Sequence, residues 1–173
     1  RLRRADADGA AGSVEELDRI ADRIRAAWPE TRIVVRADSG FCREWLLRWC
    51  EERGVDYVIG IARNSRLLQI LADSMLLAKN EHDRTNHAAR HFEDLEYRTF
   101  DTWSRTRRVV GKAEHLRKGA NPRFIVTSFT PEEWPARELY EDLYCARGEM
   151  ENRIKEQQLD LFADRVSCHW ERG

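Results

Sequence analysis

Two stretches of this sequence hold residue types suited to phosphate and divalent-cation chemistry. The first is Arg32-Ile-Val-Val-Arg-Ala-Asp38-Ser-Gly40, a β-branched run that closes on Asp-Ser-Gly. It reads as a buried strand that delivers Asp38 into a turn. An acid at the end of a strand sits where open α/β sheets gather their ligands, although an acid there also caps a following helix. The second is Tyr144-Cys-Ala-Arg147-Gly-Glu149-Met-Glu151-Asn-Arg153-Ile-Lys155. Arg147, Glu151 and Lys155 follow one another at four-residue steps and share one helix face, and Tyr144 is an i,i+3 neighbour of Arg147. Carboxylates are the hard oxygen ligands that Mg²⁺ selects, and arginine is a strong phosphate donor. Taken alone, the second stretch is explained as simply by a salt-bridged helix surface.

The elements that must position these residues alternate. Ser13-Val-Glu-Glu16 fits a capping box, with Val14, Leu17, Ile20, Ala21 and Ile24 at helical spacing behind it and Pro29 as the stop. A second helix covers about 43–53, with Trp45, Leu46, Trp49 and Cys50 on one face and Gly54 at its end. Tyr57-Val-Ile-Gly-Ile61 is a short apolar strand, and residues 65–78 form a third helix. Helix, strand, helix, strand, helix predicts an α/β sheet with parallel neighbours. The rhythm then changes. Residues 80–90 are polar and read as a loop, 91–115 alternate as strands do, and 123–128 is a clear strand. Residues 136–162 read as helical, with a join near 145–148.

Composition narrows the class. With 42% hydrophobic and 35% charged residues the chain reads as a globular domain with a heavily charged surface. Its apolar runs are far shorter than the roughly 20 residues that a membrane helix needs, and no signal peptide follows Arg1. Cys42, Cys50, Cys145 and Cys168 match no common zinc spacing and read as reduced thiols. A net charge of −1 argues against bulk attraction to nucleic acid, but residues 98–123 carry eight Lys or Arg against two acids. Such a stretch suits a polyanion, or simply a solvated face. Within it Trp103, between Arg98 and Arg105, reads as a core residue first and a base-stacking platform second. His82, His87 and His91 have ligand-like spacing but lie in the polar segment and read as surface residues.

Asp38-Ser-Gly-Phe-Cys, followed by Gly54-Val-Asp-Tyr-Val-Ile-Gly-Ile-Ala-Arg-Asn64, resembles the middle of bacterial insertion-sequence transposases with a DDE catalytic core. Residues 141–157 are similar to the later Tyr-x2-Arg-x3-Glu-x6-Lys signature of such enzymes, and the group numbered thirteen-eighty is the nearest likeness. The resemblance spans roughly residues 14–168. It implies an RNase H-like mixed sheet flanked by helices. The α/β part would cover 1–80, a β-rich insertion 81–130, and a helical part carrying the third acid 131–165, all within one incomplete catalytic domain. It also implies DNA cleavage and strand transfer with two Mg²⁺ (or Mn²⁺) ions held by three carboxylates, Asp38 being the second and Glu151 the third. Tyr144, Arg147, Lys155, Arg105 and Trp103 would contact DNA. Transposon-end and target DNA would be the partners, with a homodimer for the full-length protein and a bacterial cytoplasmic location.

Two departures qualify the match. The signature Lys falls on Gln158, and its DNA contact is kept only if Lys155 substitutes for it. The first aspartate has no clear counterpart, since Asp6 and Asp8 lie in turn-like Ala-Asp-Ala-Asp-Gly. The expectation is therefore an internal piece that does not catalyse unaided, or a non-catalytic remnant that binds DNA or pairs with the full-length protein. Glu149 competes for the role of third acid but faces another side of the helix. A third reading, an unrelated Mg²⁺-phosphate domain, requires a glycine-rich loop, and Gly9, Gly12, Gly40, Gly54 and Gly60 are scattered.

Overall fold

The computed structural model describes residues 10–146. Helix α1 (Ser13–Ala27) leads into strand β1 (Val34–Ala37), a 3₁₀ turn at Ser39–Phe41, helix α2 (Glu44–Glu52) and strand β2 (Asp56–Ile61). Helices α3 (Ser65–Ile70) and α4 (Ala72–Thr85) precede strands β3 (Ala89–Tyr97), β4 (Arg107–Leu116), β5 (Gly119–Ala120) and β6 (Arg123–Thr127). A short α5 (Ala136–Glu138) then widens into a π-helical segment, Leu139–Tyr144.

All six strands belong to one sheet, ordered β1-β2-β6-β4-β3 with β5 hydrogen-bonded to β4. Only β1 and β2 are parallel, and every other pairing is antiparallel. The parallel pair comes from the helix-linked first half, while the later strands join without a crossover helix. The result is a mixed α/β sheet flanked by helices, consistent with an RNase H-like fold.

Side-chain alternation along the strands feeds two apolar layers. Tyr57 and Ile59 of β2, Val109 and Ala113 of β4, and Val126 of β6 join Ala21 of α1, Leu46 and Leu47 of α2, Leu67 of α3 and Leu71 between α3 and α4. On the other face Val58, Val110 and Ile125 pack with Phe129, Leu139 and Tyr140. Because β2 is buried on both faces, its sequence is an unbroken apolar run rather than an alternating one.

Three local expectations are corrected. Ser13 is the first residue of α1 rather than its cap: Gly12, at φ 71°, occupies the N-cap without a side-chain bond, and the Ser13 hydroxyl is buried without a partner. The helix expected over 65–78 breaks at Leu71, which is fully buried. A Cβ at Gly111 would lie 2.8 Å from the Leu71 Cδ1, so this glycine makes room for the side chain that ends α3. The polar segment 80–90 is mostly helix. Here α4 runs on to Thr85, supported by the Lys79–Asp83 ion pair and the Thr85 hydroxyl donating to the Glu81 carbonyl, until Asn86 at φ 56° closes it.

Candidate active site at the strand ends

Asp38 immediately follows β1, and its Oδ1 accepts a hydrogen bond from the Gly40 amide at 2.9 Å. That bond caps the Ser39–Phe41 turn and holds the exposed carboxylate at the strand end. The β1–β2 register pairs Ala37 with Ile59, so the next step brings the Asp38 backbone beside Gly60. An added Cβ at Gly60 would lie 3.3 Å from the Asp38 carbonyl carbon, 3.0 Å from the Ser39 nitrogen and 2.7 Å from the Tyr144 hydroxyl oxygen. The two chemistry-bearing motifs, more than one hundred residues apart in sequence, therefore meet over Gly60.

The helical segment that brings Tyr144 there is built for the purpose of packing, not of charge. Leu139 and Tyr140 are buried against the sheet, and the Tyr140 and Tyr144 rings stand 5.5 Å apart. A backbone bond from the Cys145 amide to the Tyr140 carbonyl, at 2.9 Å, closes the wide π turn, a conformation frequent at functional sites. Arg36, two residues before Asp38 on β1, donates from Nη1 to the Leu143 carbonyl at 2.7 Å and ties the end of this segment to the strand. Arg147, Glu151 and Lys155, with Glu149, lie outside the described residues.

The basic stretch 98–123 has a different fate. Arg107 is buried, and its guanidinium donates to both carboxylates of a facing pair, Glu44 and Glu51. Burial raises the pKa of both acids, but the hydrogen bonds from Arg107, with those from Ser104, Arg105 and Tyr57, outweigh it and bring both below the usual range. Trp103 is 4% exposed, edge-on to Tyr97 and beneath the Arg107 guanidinium. Trp103 is thus a core residue, and its burial leaves no open face for a base: a correction to its reading as a DNA contact. Arg105 is more than half exposed and pairs with Glu51, at a cavity of about 550 Å³ lined also by Tyr57, Arg107, Arg108 and Thr130. Arg108 is held by Asp94 and the Phe129 and Trp134 carbonyls, and Lys112 by Glu114. Arg107, Arg108 and Lys112 thus have carboxylate partners within the fold, while Arg98, Arg105, Arg117, Lys118 and Arg123 are exposed.

A family model described as Transposase DDE domain group 1 matches residues 1–172. The chain belongs to the transposase DDE domain family. No curated protein matches the chain. Membership implies a transposase with metal-dependent action on DNA.

Among the described residues of the transposase domain, no three His, Cys, Asp or Glu side chains group as a metal ligand set, and Glu151 lies outside them. Asp38 is a hard oxygen donor, which fits a Mg²⁺-type ion. The Cys42 thiol, four residues further on, is pushed up to about 11 by burial and is protonated near neutral pH. The three histidines of the former polar segment are placed otherwise: His82 Nδ1 lies 2.6 Å from the His87 carbonyl, and His91 is 3.0 Å from Glu81. No described helix is long and apolar enough to cross a membrane.

Sequence reasoning missed Gly60 and Arg36. The signal for Gly60 was available: a glycine inside an apolar strand marks a close backbone approach.

Proposed function

We propose that this domain cleaves and joins DNA strands by two-metal-ion phosphodiester chemistry, with Asp38 as the second carboxylate of the site and Glu151 as the third. One observation carries the reading: Asp38, at the end of a parallel strand, shares the Gly60 contact with Tyr144, the residue that opens the signature containing Glu151. Divalent ions held by these carboxylates supply an activated water or 3′-hydroxyl and stabilise the leaving oxygen.

The chain's own residues do the rest. The turn bond from Gly40 fixes the Asp38 carboxylate before any ion arrives, so little ordering remains to be done on binding. Arg147 and Tyr144 orient phosphates beside the acids, and Lys155 stands in for the lysine replaced by Gln158. Arg105, exposed at its cavity, adds a backbone contact. The substrates are transposon-end and target DNA, bound by a homodimer of the full-length protein. The first carboxylate of the triad is assigned to no residue of this chain. A second reading, a remnant that binds DNA without catalysis, is favoured by Gln158 and by the unassigned first carboxylate.

The test is a Mn²⁺ titration of the whole chain. Asp38→Asn and Glu151→Gln should each weaken binding by roughly tenfold or more, about 1.4 kcal/mol per factor of ten. Asparagine keeps an oxygen for the Gly40 amide, so the turn survives the change. Unaltered affinity in Asp38→Asn would remove the metal role and leave the remnant reading.

A further inference from the structure

We infer that Gly60 and Arg36 are positioning residues for this site: they seat the Leu139–Tyr144 segment on the ends of β1 and β2, so that the Tyr144 hydroxyl is held against the Asp38 turn. The inference rests on the reading of Asp38 and Glu151 as metal carboxylates.

Gly60 is buried in the interior of β2, where a glycine weakens a strand unless something needs the space. Three neighbours occupy that space. The Tyr144 hydroxyl, at 2.7 Å from the missing Cβ, is closer than a methyl group tolerates. The other two, the Ser39 nitrogen at 3.0 Å and the Asp38 carbonyl carbon at 3.3 Å, are backbone atoms of the metal-binding turn itself. A side chain at position 60 therefore pushes Tyr144 and the Asp38 turn apart along the line that joins them.

Arg36 acts from the neighbouring strand. Its pairing with Val58 sets it level with the strand pair just before Asp38, and its bond to the Leu143 carbonyl lands on the residue next to Tyr144. Two adjacent residues of the segment, Leu143 and Tyr144, are thus fixed by two adjacent strands. A tilt of the segment then moves the Tyr144 hydroxyl away from the Asp38 turn.

Mn²⁺ affinity of the whole chain is measured for Gly60→Ala, Tyr144→Phe, the double variant Gly60→Ala/Tyr144→Phe, Arg36→Met and Asp38→Asn, with circular dichroism reporting the fold. Gly60→Ala should weaken Mn²⁺ binding roughly tenfold, the low end of what mispositioned metal ligands lose. Removing the hydroxyl that meets the new methyl should restore part of it, so the double variant binds more tightly than Gly60→Ala. A clash with Asp38 alone, or a general loss of packing, predicts no such rescue. Arg36→Met, which keeps the aliphatic stem, should weaken binding several-fold, and it answers the question should Gly60→Ala not fold. If Asp38→Asn weakens binding while Gly60→Ala and Arg36→Met leave it unchanged, or if the double variant shows no rescue, the positioning role is overturned and the metal reading stands. If Asp38→Asn itself has no effect, the metal reading fails and takes the positioning role with it.

Discussion

Two polar regions of the described fold use their charges in opposite ways. Around Arg107, charge meets charge inside the protein: one guanidinium bonds two glutamates, one of these also takes Tyr57 and Arg105, and Trp103 closes over the cation. Around Asp38 the carboxylate is exposed, and the precision lies in the backbone: a glycine without a side chain, a turn amide, a tyrosine hydroxyl and a carbonyl clamp. The charge-dense stretch is therefore the structural one, and the sparse strand end is the candidate site. A count of positive residues along the sequence does not show which cations already have partners, as Arg107, Arg108 and Lys112 do.

The comparison breaks most visibly at Arg107. Arg107→Met leaves Glu44 and Glu51 without their shared partner, and removing one member of a buried ion pair costs about 3–5 kcal/mol. Urea unfolding should show that loss, while Mn²⁺ affinity per folded molecule stays as in the wild type. A parallel fall in metal affinity would mean that the two regions are coupled.

Acid should act through Glu44 and Glu51 of the same network, and through Glu114 beside Lys112 and Arg90. Glu44, Glu51 and Glu114 all have pKa values lowered in the fold. Their stabilisation is fully present above the unfolded-state value, about 4.3, and is lost as pH falls through the lower folded values. A pH series of thermal midpoints should be flat near neutrality and fall below about pH 4. A fall beginning near pH 6 would require a group other than these carboxylates.

Smaller effects sharpen the contrast. Tyr57→Phe removes one hydrogen bond to a carboxylate and should cost about 1–3 kcal/mol. Arg105→Ala, at an exposed side chain with Glu51 still held by Arg107, should change the unfolding midpoint less than Tyr57→Phe does. If Arg105 contacts DNA as proposed, the same change weakens DNA binding and reduces its salt dependence.

Much of the architecture was legible in the residues. The β-branched run before Asp38, the Gly54 stop after α2 and the apolar run at 57–61 each report a local preference that the fold keeps. The extent of α4 was not legible, because Asn80–Thr85 has polar composition and its helicity rests on Ala78 packing and capping bonds made only in the fold. The capping box at Ser13 failed because Gly12 adopts the left-handed conformation that ends the preceding turn there. At the site, Asp38 and Tyr144 were legible as types at a spacing, but their meeting was not. It depends on the space above Gly60, which is a property of two strands and a helix together.

The most direct test of the contrast between the regions is paramagnetic broadening of backbone amide signals by Mn²⁺ in the ¹⁵N-labelled chain. The account predicts early loss of the Ser39, Gly40 and Gly60 signals, none at Thr106–Arg108, and no localised loss in Asp38→Asn. Broadening centred on the Arg107 network and its glutamates, or an unchanged pattern in Asp38→Asn, would contradict it.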